Sequence, residues 1–332
     1  MSDTAKTQVL FAYSPGWKIH DQFLARCQQD SLARERVEWT LLPPDELCPE
    51  VLSQAEIIVC GHFAREWLPY CHRLRWIQFL GAGIEGSLSP ELLTSDIILT
   101  NASGVHAVPI AEHVCGILLM FARGLHRCVR QQMRAEWNRD GFREQVRELH
   151  GATLGVVGLG AIGTAVAERG KAFGMRVIAT RRNPQQKAKC VDLLLSSAQL
   201  PDLLRESEYV VLCVPLTPET RGLIGERELR LMRRDAILVN IARGRVIDQS
   251  ALIRALQEGW IAGAGLDVFD PEPLPADSPL WQMPNVIITP HVSGVTPHYG
   301  ARAAQIFLHN LHAYLAGDLA AMTNVVDKQA GY

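Results

Sequence analysis

A chain of 332 residues is long enough for two ordinary domains, each able to bury a full core without disulfides or metals. With 48% hydrophobic and 20% charged residues it cannot be largely disordered, and 33 Lys and Arg against 35 Asp and Glu leave a net charge of −2. That balance lacks the basic excess of a nucleic-acid binder or a membrane-surface protein, and the longest apolar runs, such as 116–122 and 262–266, fall far short of a bilayer span. The polar opening Met1–Lys6 does not read as a leader. Eight scattered cysteines, with no C-x-x-C pair and no histidines at zinc spacing, imply reduced, mostly buried thiols, a cytoplasmic protein and no metal site.

In chain order, strands are expected at 8–13, 37–42, 57–60, 74–80 and 97–100, with a helical pattern over 17–34. These runs are rich in Val, Ile and Leu and do not alternate with polar residues, as in parallel sheets covered on both faces. A long helix follows over 106–137, with Pro109 in its first turn; its apolar first half should be buried and its basic second half, 127–139, solvated. From Gly151 a second series begins, with six strands at 153–157, 176–179, 209–214, 236–240, 263–268 and 285–289 and helices between them. Six strands suffice for a dinucleotide-binding domain, and the earlier strands must form a separate sheet. The last helix, 301–316, is expected to return to the first domain. The fold class is therefore α/β, with two doubly wound parallel-sheet domains.

The sharpest motif is Gly158-Leu159-Gly160-Ala161-Ile162-Gly163, directly after a strand and opening the helix 161–173. In that context Gly158 permits the tight turn, Gly160 lets the backbone approach a pyrophosphate, and Gly163 allows close helix–strand packing, while the helix N-terminus offers amides to the anion. A glycine-rich turn without a ligand is the alternative. About 20 residues on, an NAD-binding unit carries an acid for the ribose 2′-hydroxyl. Here the second strand ends in Thr180-Arg181-Arg182. Arginine pairs bidentately with phosphate, and the missing carboxylate removes a repulsion, so NADP(H) is favoured over NAD(H). The other reading of Arg181 and Arg182 is an ordinary solvated pair.

Several separated motifs together resemble the D-isomer-specific 2-hydroxyacid dehydrogenase family: GAGIEG at 81–86, NASGVHAVPIAEH at 101–113, GLGAIG at 158–163, VPLTPET at 214–220, NIARGRVID at 240–248, LDVFDPEPLP at 266–275, ITPHVSG at 288–294 and the terminal NVVDKQAGY. The resemblance implies a flavodoxin-like substrate domain, assigned to 1–101 and 293–332, with an inserted Rossmann dinucleotide-binding domain, 102–292. It further implies a homodimer formed through the inserted domain's helices and a small 2-keto or 2-hydroxy acid as substrate; the charge balance adds the expectation of no nucleic-acid or membrane partner. A substrate cleft between the domains, closing to exclude water, is part of the same expectation.

Reducing a 2-keto acid needs a hydride donor, a proton donor that titrates near neutrality and a cation for the carboxylate. His291 after the sixth strand, Glu272 after the fifth and Arg243 after the fourth all fall at carboxyl ends of strands, where such sheets place ligands. A carboxylate on the imidazole orients it and raises its pKa, and a planar guanidinium can hold carboxylate and carbonyl oxygen together. The family's catalytic Arg, Glu and His motifs fall on these three, with Arg245 at the surface or behind them. The resemblance also implies cofactor contacts at Val214, Pro215, Thr220, Ile241, Ala242 and Gly294, an Asp267 contact to the nicotinamide amide, and substrate carboxylate binding by the backbone amides of Ala82 and Gly83. Taken singly, His291, Glu272 and Asp267 also read as a structural histidine, a solvated loop acid and a satisfied strand-end acid. Two relatives of this architecture are alternatives: a formate dehydrogenase-like enzyme, disfavoured because that group has Gln where Glu272 stands, and a nucleotide-sensing corepressor-like scaffold, which can keep the catalytic residues. Substrate selectivity rests on side chains such as Ile84, Trp137 or Trp281, which do not name the acid.

Overall fold

The computed structural model describes residues 6–142, 146–184 and 188–328; the first five residues and the last four of the NVVDKQAGY stretch lie outside the described residues. The chain divides into two compact units, Met1–Val105 with Thr296–Tyr332, and His106–Val295. These boundaries lie three or four residues beyond 101/102 and 292/293. Residues 101–105 belong to the first unit because Asn101 and Ala102 donate their amides to the carbonyls of Asn324 (3.2 Å) and Gly81 (3.0 Å). Residues 293–295 belong to the second, where the Ser293 amide reaches Asp267 and the Gly294 carbonyl meets His106 Nδ1, both at 3.0 Å.

In the first unit β1 (Thr7–Ala12), β2 (Val37–Leu42), β3 (Ile57–Cys60), β4 (Trp76–Phe79) and β5 (Ile98–Thr100) pair in parallel in the order β2-β1-β3-β4-β5. This is the flavodoxin-like order. Alternate residues serve opposite faces: Val9, Phe11, Ile57, Val59 and Trp76 pack with Phe23, Phe307 and Leu311, whereas Leu10, Ile58, Ile77 and Phe79 pack with Leu52 and Leu92. The expected helix over 17–34 is two, Lys18–Gln29 and Ser31–Arg36, because Asp30 is extended and caps the second through its carboxylate to the Ala33 amide at 2.9 Å. The final helix, Tyr299–Leu315, returns to this unit against Lys18–Gln29. It comes close enough that a Cβ on Gly300 would lie 2.2 Å from the Ile19 carbonyl.

In the second unit β6 (Thr153–Val157), β7 (Arg176–Arg181), β8 (Leu193–Ser196), β9 (Tyr209–Leu212), β10 (Ile237–Asn240), β11 (Gly263–Leu266) and β12 (Val286–Ile288) form a parallel sheet ordered β12-β11-β10-β9-β6-β7-β8. Seven strands replace the expected six: the four-residue edge strand β8, beside β7, was not foreseen. The order reverses between β6 and β9, so the crevice expected of a doubly wound sheet lies at their carboxyl ends, beside the glycine loop. The single helix expected over 106–137 is two, Ala107–Ala122 and Leu125–Met133, bent by 72°. Gly124, with φ 65°, sits in the left-handed conformation that stops a helix. Of the first, Ile110, Ala111, Val114, Ile117, Leu118 and Ala122 are buried; the second has no buried residue, and Leu125, Val129 and Met133 are exposed on it. Among the described residues no single helix is long and apolar enough to cross a membrane.

His20 is the one histidine of the first core, only 2% exposed, with its Nδ1 accepting the Ser14 amide at 2.9 Å. Burial pushes its pKa down to about 4 against a smaller opposing effect of Asp21, and its Nε2 has no hydrogen-bond partner among the described residues. The folded state therefore binds this proton less readily than the unfolded chain, whose histidine titrates near 6.5. Stability should be fully present above about pH 6.5 and decline as pH falls toward 4, by on the order of 2–3 kcal/mol from this group. Denaturant unfolding at pH 7.5 and 5 should show the decline, and His20→Asn should flatten it.

Candidate active site

The ends of β10, β11 and β12 are neighbours, and strand spacing of about 4.8 Å puts the residues that follow them within roughly 10 Å of one another. After β10, the buried Asn240 side chain accepts the Ala242 amide and donates to the Arg243 carbonyl, each at 3.0 Å, closing the turn that carries Arg243. Arg243 is exposed, and among the described residues its guanidinium makes one hydrogen bond, from Nη1 to the Ala242 carbonyl at 2.8 Å. Gly244 brings this turn against the segment after β11: a Cβ there would stand 1.9 Å from the Phe269 carbonyl. Arg245, two residues on, is exposed and ion-paired with Asp270 at 3.1 Å.

On that adjoining segment the Glu272 carboxylate is held from two sides. Its Oε1 accepts the Phe269 amide and its Oε2 meets His291 Nδ1, both at 2.8 Å. The carboxylate can only accept, so Nδ1 carries a proton, and the side chain is 54% exposed. His291 has φ 53°, the left-handed region that few non-glycine residues occupy. Its amide donates to the Asp267 carbonyl at 2.9 Å.

Asp267 is fully buried. Its Oδ1 accepts the Thr289 hydroxyl and the Val292 amide, and its Oδ2 the Ser293 amide. Burial alone would raise its pKa, but the Ser293 and Thr289 side chains and the Val292 and Ser293 amides outweigh it and hold the carboxyl below the usual range. The residue expected to contact a nicotinamide amide thus has both oxygens on the loop that carries His291. Asn240, Gly244, Thr289 and Ser293 are not among the residues that the sequence singles out, since each acts through a partner that is distant in the chain or through backbone contact.

At the other side of the switch point, Gly158 has φ 96°, and a Cβ on it would meet Val214 at 2.8 Å. A Cβ on Gly163 would lie 2.1 Å from the Gly158 carbonyl, whereas one on Gly160 meets nothing within 4 Å. The helix Ala161–Ala172 starts there, and its first bond back is from Thr164 N–H to the Gly160 carbonyl, so the amides of 161–163 point ahead of the helix. This glycine cradle, with the amides of 161–163 pointing ahead of the helix, fits a dinucleotide pyrophosphate. Thr180, expected at the ligand, is buried and serves the loop: its hydroxyl accepts the Gly158 amide at 3.2 Å and its carbonyl the Leu159 amide at 2.9 Å. Arg181 ends β7 half-exposed, and Arg182 is exposed in the turn beyond. Glu219 is held below its usual pKa first by the Thr217 side chain and also by the Arg182 charge, which places Arg182 near the loop after β9. In that loop the Thr220 hydroxyl donates to the Pro215 carbonyl at 2.6 Å; Val214 is half-buried, and Ile241 and Ala242 are buried after β10. In the first unit, the Gly81 and Ala82 carbonyls are taken by Ala102 N–H and Asn101 Nδ2, both at 3.0 Å. The Ala82 and Gly83 amides donate to no acceptor among the described residues.

The glycines should separate cofactor from fold. Gly163→Ala should lower stability by about 1–3 kcal/mol, since the Gly158 carbonyl cannot yield. Gly160→Ala should leave the melting temperature unchanged and weaken dinucleotide affinity by at least about tenfold, the loss of one close backbone approach. Calorimetry and fluorescence titration of the two variants check this.

A family model described as D-isomer specific 2-hydroxyacid dehydrogenase, NAD binding domain, matches residues 115–293. A glyoxylate reductase of Thermococcus kodakarensis is 41% identical over 254 residues, covering 74% of this chain and 75% of the relative. Two solved structures are similar over nearly the whole chain. A D-isomer specific 2-hydroxyacid dehydrogenase from Xanthobacter autotrophicus Py2, in complex with NADPH and MES, has TM-score 0.82 and 30% identity, covering 99% of this chain and 100% of that one. An NADPH-dependent glyoxylate/hydroxypyruvate reductase from Sinorhizobium meliloti, in complex with NADP and sulfate, has TM-score 0.79 and 25% identity, covering 98% and 100%. With its flavodoxin-like unit, inserted Rossmann unit and Arg, Glu and His at three adjoining strand ends, the chain belongs to the D-isomer specific 2-hydroxyacid dehydrogenases, NAD(P)-dependent oxidoreductases.

Proposed function

We propose that this protein reduces a small 2-keto acid of the glyoxylate or hydroxypyruvate type to the D-2-hydroxy acid with NADPH. The observation that carries the reading is the Glu272–His291 pair at 2.8 Å, on a histidine side chain that is half exposed. Bound nicotinamide supplies the hydride. His291 gives its Nε2 proton to the carbonyl oxygen; the resulting neutral ring keeps its Nδ1–H on Glu272, so the ring does not turn between turnovers. Glu272, itself fixed by the Phe269 amide, holds the imidazole in place through Nδ1. Arg243, most of whose guanidinium N–H groups have no acceptor among the described residues, is suited to hold the substrate carboxylate and polarise the carbonyl. The amides of Ala82 and Gly83 are proposed as a second carboxylate-binding element.

The cofactor contacts proposed are Gly158, Gly160, Ala161, Ile162 and Gly163 at the pyrophosphate, with Val214, Pro215, Thr220, Ile241, Ala242 and Gly294 along the crevice. Arg181 and Arg182 would meet a 2′-phosphate, a reading supported by the absence of an acid at the end of β7 and by the NADPH and NADP in the two similar structures. A homodimer is proposed from the exposed Leu125, Val129 and Met133 and from Trp137, 96% exposed beyond them, and a cytoplasmic location from the eight free cysteines.

A panel of 2-keto acids with NADPH and NADH tests the reaction. His291→Ala should cut turnover roughly 10²- to 10⁴-fold with NADPH affinity kept. Arg181→Ser with Arg182→Ser should raise KM for NADPH by at least about tenfold while leaving that for NADH, in line with the loss of charge-assisted hydrogen bonds. A wild-type preference for NADH would overturn the cofactor assignment, and undiminished turnover in His291→Ala would remove His291 from the mechanism. Sedimentation should give a dimer, and Met133→Glu should shift it toward monomer.

A further inference from the structure

Thr289 Oγ1, which lies on the Asp267 carboxylate, is also 3.2 Å from Nε2 of His113, a half-buried residue on the helix Ala107–Ala122. We propose that His113 is a positioning residue for His291, acting through Thr289 and Asp267 on the loop 289–293; this rests on the role assigned to His291 above. The directions of the hydrogen bonds follow from proton supply. Asp267 is ionised, so it only accepts, and the single hydroxyl proton of Thr289 goes to its Oδ1. Thr289 Oγ1 then has only lone pairs to offer, and His113 Nε2 must carry the proton that meets it. The chain therefore runs one way, from His113 to Thr289 to Asp267.

Its effect on the site is geometric. A fully buried carboxylate needs donors, and those of Asp267 come from Thr289, Val292 and Ser293, on both sides of His291. The Asp267 carbonyl takes the His291 amide as well. Together these bonds hold His291 at φ 53°, a conformation it would not keep in a free loop, and so aim its ring at Glu272. His113 fixes the first of these donors from outside the loop. Its helix also packs against Ala161–Ala172, the helix that opens from the glycine loop, so one rigid element supports both halves of the site.

The test compares His113→Phe with His113→Gln, whose amide nitrogen can restore a donor. In His113→Phe, kcat with NADPH and glyoxylate should fall about 3- to 10-fold, the worth of one hydrogen bond, with KM for both substrates kept. Hydrogen exchange at the Val292 and Ser293 amides of the substrate-free protein should quicken by a similar factor, and exchange in the core strands should not. His113→Gln should recover most of both. Unchanged exchange and kcat in His113→Phe, or no recovery in His113→Gln, would overturn the proposal. If the wild type reduces no 2-keto acid, only the reaction assignment fails; the exchange rates still decide whether His113 orders the loop.

Discussion

The site depends on one constraint: an ionised carboxylate, Asp267, is fully buried at the end of β11 and must be solvated by protein groups. Its donors lie on the segment that leaves β12. Satisfying the charge and shaping the loop are therefore the same event, and the imidazole of His291 inherits its place from it. A neutral residue in that position could be buried without organising anything around it. The charge makes the arrangement stiff, because losing any donor leaves an anion short of solvation in a low-dielectric interior.

Two close backbone approaches complete the arrangement. Gly244 lets the turn bearing Arg243 lie against the Phe269 carbonyl, next to the amide that orients Glu272. Gly163 lets the helix after the phosphate loop rest on the Gly158 carbonyl. In both places the absence of a side chain brings two segments together, and polar groups then fix their registry. Gly160 differs, since no atom of the described residues lies within 4 Å of where its Cβ would be, and close packing of the protein does not account for it.

Much of this was legible locally. The two βαβ series, the glycine loop on its strand–turn–helix and the three site residues at strand ends follow from apolar runs and motif spacing, and eleven of the strands lie within a residue or two of where those runs place them. Less legible were features whose signal is short or shared. Gly124 stops a helix in the middle of an otherwise continuous helical pattern, and Asp30 caps a second helix where one was expected. The edge strand Leu193–Ser196 offers four residues and one paired neighbour, too little periodicity to stand out. Thr180 reads as a ligand contact because of its place beside two arginines, yet its hydroxyl serves the Gly158 amide 22 residues earlier.

By itself, the order of residues determined that there are two parallel-sheet units, which segment carries the phosphate loop, and which Arg, Glu and His stand at carboxyl ends. Those are properties of periodicity and of spacing along the chain, and they need no knowledge of neighbours. Only the tertiary structure decided that Asp267 is buried and turned toward the loop, that Glu272 is shared between the Phe269 amide and His291, and that His113 reaches Thr289. Burial and hydrogen-bond direction depend on groups brought together from distant parts of the chain, 176 residues apart in the case of His113 and Thr289, and no local pattern encodes which of them will meet.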